Sequence, residues 1–175
     1  MSAFGRAYEL HLRTLVNDLF AAIDGIPDED FNIWKPAAAR DDGHEMNTFA
    51  ALAIHIVSAA EYMTLHAVGG QPSQRNREAE FEATGSLDEI RTRYDKWLDA
   101  VHNLVADFSD ADLDRESHSE RYTERGWKTA EILFHALDHT ALHVGHLQIQ
   151  RQLWEVERRK PGRGECRVTA PPHEG

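Results

Sequence analysis

The sequence predicts an all-α protein, a four-helix bundle with long inter-helix loops. Four segments repeat apolar side chains at three- and four-residue spacing, which is typical of amphipathic helices. Capping and stop signals bound these segments, and no segment convincingly indicates a strand. Hydrophobic residues make up 41% and charged residues 28% of the chain, an ordinary globular balance. Four helices of about 20 residues most economically pack as a bundle, whose core is a usual place for metal sites.

The first two predicted helices have clear ends. The first covers residues 2–23 and stops before Gly25 and Pro27, neither of which favours a continuing helix. The second covers residues 48–68, with Asn47 as the expected N-cap. The pair Gly69-Gly70 then ends it, since glycine is the usual residue just past a helix C-terminus.

The third predicted helix opens at Ser86, because Glu89 follows three residues later and completes a capping box. This helix continues to residue 108, and the fourth covers residues 128–158. The connections between the helices span about 15 to 25 residues, longer than bundle loops usually are. We therefore expect the loops to wall in a site at one end of the bundle.

The chain is expected to form one bundle domain, residues 1–158, followed by a polar, flexible C-terminal tail, residues 159–175. A chain of 175 residues is long enough to bury one sizeable core. The tail is rich in arginine, proline and glycine and has little apolar content. It contains the only cysteine, Cys166, which excludes an internal disulfide and suits a reducing cytoplasm.

Charge and hydropathy exclude two classes of partner. The formal net charge is -11 and no long basic stripe is present, so nucleic-acid binding is not expected. Residues 1–12 lack the continuous apolar stretch of a signal peptide, and no apolar run is judged to approach the roughly 20 residues of a membrane span. We therefore expect a soluble, cytoplasmic protein with no membrane partner.

A cluster of histidines is the most informative feature of the fourth helix. His135, His139, His143 and His146 fall within about 80° of one another on one helical face. Residues four apart lie about 6 Å apart along the axis, close enough for two imidazoles to share an ion. His135 and His143 are about 12 Å apart, too far for one ion. The candidate chelating pairs are therefore His135/His139, His139/His143 and His143/His146.

A third ligand must come from another helix, and His55 is the best candidate. It lies in a run of apolar residues in the second helix, where a buried imidazole needs a partner. A lone histidine on an apolar face more often packs in the core with a hydrogen bond, but its conjunction with a four-histidine stripe favours a metal. Three neutral histidines without cysteine leave a coordination position open, which is the pattern of catalytic rather than structural zinc.

A di-iron carboxylate site is the rival interpretation and fits poorly. Such bundles use Glu-x-x-His pairs together with glutamates that point inward from several helices. Here Glu131 and His135 are four residues apart instead of three, and Glu61 lies about 120° around the helix from His55. The histidine-only site is therefore the preferred hypothesis.

These residues carry a resemblance to the DinB/YfiT-like family of four-helix-bundle metalloproteins. The last helix contains His139-Thr140-Ala-Leu-His143-Val-Gly145-His146, close to the family pattern His-Thr-x-x-His-x-Gly-Gln, and His55 matches the single ligand histidine of the second helix. The resemblance covers residues 5–155. It implies the metal ligands His55, His139 and His143 and a divalent transition metal, with zinc or nickel preferred.

One departure from the family pattern concerns His146, which stands where the family usually has glutamine. Its ring lies one turn from His143 and could face the open coordination position, act as an acid or base, or merely pack. We take it as the candidate catalytic residue. His135 occupies a position where helical family members commonly have histidine, and we interpret it as a packing residue or a partner of a ligand imidazole.

The resemblance implies thiol chemistry for an enzyme acting on a small-molecule substrate. A low-molecular-weight thiol cosubstrate such as bacillithiol or mycothiol would attack an electrophile as the thiolate, giving transfer or isomerisation. Hydrolysis of a small molecule would use the same ligands. An enzyme should have an open pocket at the metal face, with His146 or another titratable group within reach.

Two further hypotheses come from other classes of protein. One is a non-catalytic, stress-associated metal-binding bundle that acts as a homodimer, in which side chains would fill the space beside the metal. The other is a protein without metal whose histidines only pack, in which His55 would point away from the fourth helix.

Overall fold

The structure, a computed structural model, describes residues 1–36 and 46–159 and confirms the all-α bundle. The four long helices are α1 (Ala3–Ile23), α3 (Phe49–Glu61, continued by a π-helical segment Tyr62–Val68), α5 (Leu87–Val105) and α8 (Thr129–Arg159). Short helices occupy the connections: α2 (Asp28–Ile33), α4 (Arg77–Glu80), α6 (Asp110–Leu113) and α7 (Glu120–Thr123). No strand occurs in the described residues.

Side-chain caps fix where the long helices begin. Ser86 and Glu89 form the predicted capping box at the start of α5. The N-cap of α3 is Thr48, whose hydroxyl accepts a hydrogen bond from the Ala51 amide at 3.1 Å, so the prediction of Asn47 is wrong by one residue. The Asn47 carbonyl instead accepts a hydrogen bond from the Gln150 side chain at 2.9 Å, which ties the start of α3 to α8.

The predicted loops are partly helical, and this ordering carries residues to the centre of the bundle. Asn76 caps α4 by accepting a hydrogen bond from the Ala79 amide at 3.2 Å. The short helix α4 lies against α3 and places Glu80 in a buried position, with 5% of its surface exposed. The predicted tail lies, from residue 160 onward, outside the described residues, and so does Cys166.

The core lies between the four long helices and contains buried polar contacts as well as apolar ones. Tyr94 and Trp97 of α5 are fully buried. The Tyr94 hydroxyl donates to the Ala53 carbonyl at 2.8 Å, and Trp97 Nε1 donates to Thr64 Oγ1 at 3.0 Å. Each satisfied polar group avoids a desolvation cost of about 1–3 kcal/mol. These bonds join α5 to α3, the helix that carries His55.

The segment Phe49–Val68 corrects one expectation from the sequence. By length and composition it is apolar enough to cross a membrane, although no apolar run was expected to approach that length. However, 72% of its most apolar window is buried inside the bundle. The apolar residues of α3 are therefore covered by the other helices, which is consistent with the central helix of a soluble protein.

Candidate metal centre

Three histidines from two helices meet in the bundle. His55 lies on α3, and His139 and His143 lie one turn apart on α8. One ring nitrogen from each lies within 4.8 Å of the other two, an arrangement compatible with a metal ion. The ring centroids are 5.2 Å apart for His55–His139, 5.0 Å for His55–His143 and 4.4 Å for His139–His143. His55 therefore points towards α8, contrary to the hypothesis of histidines that only pack.

A buried carboxylate orients His55. Glu80 Oε2 lies 2.7 Å from His55 Nδ1, and Arg75 donates to both Glu80 oxygens at 2.6 and 2.9 Å. Burial by itself would raise the pKa of Glu80, but the hydrogen bonds from Arg75 and His55 outweigh it and lower the pKa. An ionised carboxylate can only accept, so the His55 proton lies on Nδ1 and leaves the Nε2 lone pair free for a ligand.

All three imidazoles are held in the neutral form that binds metals. Burial and then the neighbouring histidines lower the pKa of His139 to about 3, and burial and His55 lower that of His143 to about 4. Burial also lowers the pKa of His55, although Glu80 opposes the shift. Metal binding at pH 7 would therefore displace few protons from these rings.

An unsatisfied atom provides a test of whether these residues suit an ion. His139 Nδ1 is buried and has no hydrogen-bond partner among residues 1–36 and 46–159. Such a nitrogen costs free energy unless something else satisfies it. Together with the free Nε2 of His55 and the absence of any cysteine among the described residues, it fits a site for a divalent metal ion.

The other two histidines of α8 differ in their distance from this group. His146 Nδ1 lies 3.3 Å from His143 Nδ1, and its side chain is exposed. The His135 ring packs edge-on against Trp127 at 5.1 Å and lies 6.3 Å from the ring of His139. Of the three candidate pairs, the structure brings His139/His143 together with His55. The catalytic role of His146 stays a prediction.

The carboxylates of the di-iron alternative have other partners. Glu61 accepts hydrogen bonds from Arg93 at 2.6 and 3.2 Å. Glu131 accepts from the backbone amide of Lys128 at 2.9 Å, at the N-terminus of α8. Neither residue belongs to the histidine group, so the described residues offer the metal three imidazoles rather than a set of carboxylates.

Two clefts reach the histidine group and share His143. The larger, of about 460 Å³, is lined by all three histidines, by His135 and by residues of α4 and α7. The smaller, of about 350 Å³, lies beside His143 and His146, with apolar walls from Leu52 and Ile149. The loops were expected to wall in a site, and residues of these connections do line the larger cleft. Glu80 and Arg75, which the sequence did not predict as site residues, lie close by.

Comparison with known proteins agrees with this architecture. The family model of the DinB superfamily matches residues 11–147, a stretch that includes His55, His139, His143 and His146. No curated protein matches the chain. Since the match covers most of the chain and the structure is a helical bundle with the expected histidines in one group, the chain belongs to the DinB superfamily.

Proposed function

We propose that this protein is a metal-dependent enzyme in which His55, His139 and His143 hold a divalent transition metal, zinc or nickel. The observation that carries the proposal is the convergence of three neutral imidazoles at the wall of an open cleft of about 460 Å³. When bound, such an ion supplies Lewis-acid chemistry and makes a thiol or water nucleophilic near neutral pH. A bundle without catalysis would be expected to fill this space with side chains.

Protein groups beside the three ligands have separate tasks in this proposal. Glu80 fixes the tautomer and ring orientation of His55, and Arg75 holds Glu80 in turn. His146 is exposed, and its Nδ1 lies 3.3 Å from Nδ1 of His143, so it is open to solvent and adjacent to a candidate metal ligand. We assign it the role of general acid and base.

The reaction class proposed is transfer or isomerisation with a low-molecular-weight thiol as cosubstrate, as the family resemblance implies. The two clefts that share His143 support a reaction between two organic molecules, since hydrolysis needs space for only one besides water. In the transfer reaction the thiol would give its proton to His146, and the sulfur would form a bond to the electrophilic carbon as the bond from that carbon to the leaving group breaks. The leaving group would then take the proton from His146, which restores the free imidazole. Hydrolysis, with water as the nucleophile, is the alternative reaction at the same residues.

An exposed apolar face supports a homodimer. Five large apolar side chains on one side of α8 are 41–60% exposed: Phe134, Leu142, Ile149, Leu153 and Val156. Exposed apolar surface of this kind is typical of interaction sites. The same face would serve the second candidate function, a non-catalytic metal-binding dimer associated with stress. For both functions we propose a soluble protein in the cytoplasm.

Metal content tests the proposal directly. Protein purified without an affinity tag should contain about one zinc or nickel per chain by elemental analysis, and His143→Ala and His139→Ala should each lose it, since two imidazoles bind weakly. The control His146→Gln should retain it. Stoichiometric metal in both alanine variants would disprove the ligand assignment. Zinc-loaded protein that turns over no thiol–electrophile pair and hydrolyses no ester or amide would favour the non-catalytic bundle.

A further inference from the structure

The larger cleft is positively charged, in contrast to the protein as a whole. The chain has 30 acidic residues against 19 lysines and arginines. The described lining of the cleft nevertheless includes no aspartate or glutamate, but does include four arginines: Arg75, Arg77, Arg121 and Arg125. A cleft lined by charge of one sign concentrates its field and raises the local concentration of opposite charge. The cleft therefore attracts anions.

Arg75 has a structural task that separates it from the other three arginines. Its side chain is 13% exposed, and its charge is neutralised by two hydrogen bonds to Glu80. Arg77, Arg121 and Arg125 are exposed, and none of them has an ion-pair partner among the described residues. Their charges are therefore available to a ligand in the cleft.

Aromatic rings support the three available guanidinium groups. Arg77 lies 5.3 Å from the ring of Phe81, Arg121 lies 5.7 Å from Tyr122, and Arg125 lies 5.3 Å from Trp127. Contacts within about 6 Å of a ring centroid are favourable for a cation and restrict a side chain that would otherwise be mobile. A ligand that binds the groups then loses less conformational entropy on binding.

One of the rings that support the arginines contacts a candidate metal ligand, and another contacts His135. Phe81 stacks on His55, with ring centroids 5.4 Å apart and planes 24° apart. Trp127 contacts His135 at 5.1 Å and stacks on Tyr122 at 5.5 Å. A small molecule that contacts Arg77 or Arg125 therefore occupies the same cleft as the histidine group.

We propose that the substrate of this cleft is a small oxyanion, a molecule with a carboxylate or phosphate group that Arg77, Arg121 and Arg125 bind. The planar guanidinium fork matches both groups with two parallel hydrogen bonds. The proposal rests on the proposed function only in naming the bound anion as substrate. The binding itself requires the arginines and the cleft, and it can be measured without a metal.

Titration calorimetry with succinate and with inorganic phosphate tests this proposal. Metal-free and zinc-loaded protein should both bind at least one of these anions, with succinamide as the neutral control that does not bind. Arg121→Gln and Arg125→Gln should each weaken binding about tenfold, the loss expected for one charge-assisted hydrogen-bonding group. Arg159→Gln is the matched control, because this arginine is 79% exposed and lies at the far end of α8.

Comparison of the two anions identifies the chemical class of the substrate, and the salt dependence of the affinity tests independently whether charge drives binding. Tighter binding of succinate assigns a carboxylate substrate, and tighter binding of phosphate assigns a phosphorylated one. In either case the affinity should fall as salt is raised from 20 to 200 mM, because the three arginines are exposed. Over this range the screening length shortens from about 20 Å to about 7 Å.

Failure of this inference and failure of the proposed function give different results. Absence of anion binding in protein that contains metal would overturn the inference alone. Anion binding that requires zinc and is unchanged in Arg121→Gln and Arg125→Gln would also overturn it, since the anion would then be a ligand of the ion only. The wild-type protein could instead bind the anion while taking up no metal. If Arg121→Gln and Arg125→Gln then lose that binding, the anion site is supported and the metal-dependent enzyme is contradicted.

Discussion

The carboxylate of Glu80 lies 2.7 Å from His55 Nδ1, and both side chains are almost completely buried. The contact joins α4, a single turn in a long connection, to the centre of α3. Because Arg75 binds the same carboxylate, a chain of three side chains runs from the edge of the bundle to the candidate metal ligand. The orientation of His55 is therefore set by a residue of the connection between α3 and α5.

Replacing this carboxylate by an amide should weaken metal binding. Glu80→Gln keeps the size of the side chain but removes the charge that increases the basicity of His55 and pairs with Arg75. We expect zinc affinity to fall about 10- to 100-fold, the usual effect of removing a partner of a ligand histidine. Competition with a chromogenic chelator measures it. Glu78→Gln, an exposed residue of the same short helix, is the control and should bind zinc like the wild type.

The features that the sequence predicted are those that depend on local spacing. The four long helices follow from apolar periodicity, and the structure ends α1 at the predicted Ile23. The juxtaposition of His139 and His143 follows from the rise of one helical turn. His55 was found because a histidine in an apolar run requires a partner. Helical periodicity and polar burial therefore find the candidate histidines, and the family resemblance selects His139 and His143 from the three possible pairs.

The features that were missed depend on how the connections fold. Glu80 lies 25 positions from His55 and Arg125 lies 14 positions before His139, and no helical period relates residues across a loop. The only local signal was Asn76, a residue type that favours the helix N-cap, before the polar stretch Arg77–Glu80. The π-helical segment Tyr62–Val68 was missed because its apolar residues continue those of α3. The positions of residues in the connections depend on tertiary contacts, which local sequence patterns do not reveal.

Two glycines should respond in opposite ways to replacement by alanine. Gly145 lies inside α8, and an added Cβ would meet nothing within 4 Å. Gly145→Ala should therefore raise the free energy of unfolding by up to about 1 kcal/mol through helix propensity. A Cβ at Gly5 would overlap the Val105 carbonyl oxygen where α1 approaches the end of α5. Gly5→Ala should lower stability by about 1–3 kcal/mol.

Urea denaturation of metal-free protein measures both glycine effects. The Gly145→Ala variant should keep its metal content, because the added methyl group contacts no side chain of the centre. Equal stabilities for the two variants would show that α1 and α5 do not approach as closely as described. A loss of stability in Gly145→Ala would contradict the open space described beside this residue.

The low pKa values of the ligand histidines should make metal-free protein less stable in mild acid. In the unfolded chain an imidazole takes up a proton as the pH falls below about 6.5, whereas the folded protein keeps His139 and His143 neutral until about pH 3 and 4. The unfolded state then binds more protons, so the free energy of unfolding decreases with falling pH, by at most about 1.4 kcal/mol per pH unit for each residue. Between pH 6.5 and 5 histidines titrate and most carboxylates do not, so comparison with a variant lacking one histidine isolates the contribution of that residue. In urea titrations, His139→Gln should show a shallower decrease than the wild type across that window. Parallel curves for the two proteins would mean that His139 is protonated as readily in the folded bundle as in the unfolded chain, and that burial does not keep this imidazole ready for a metal.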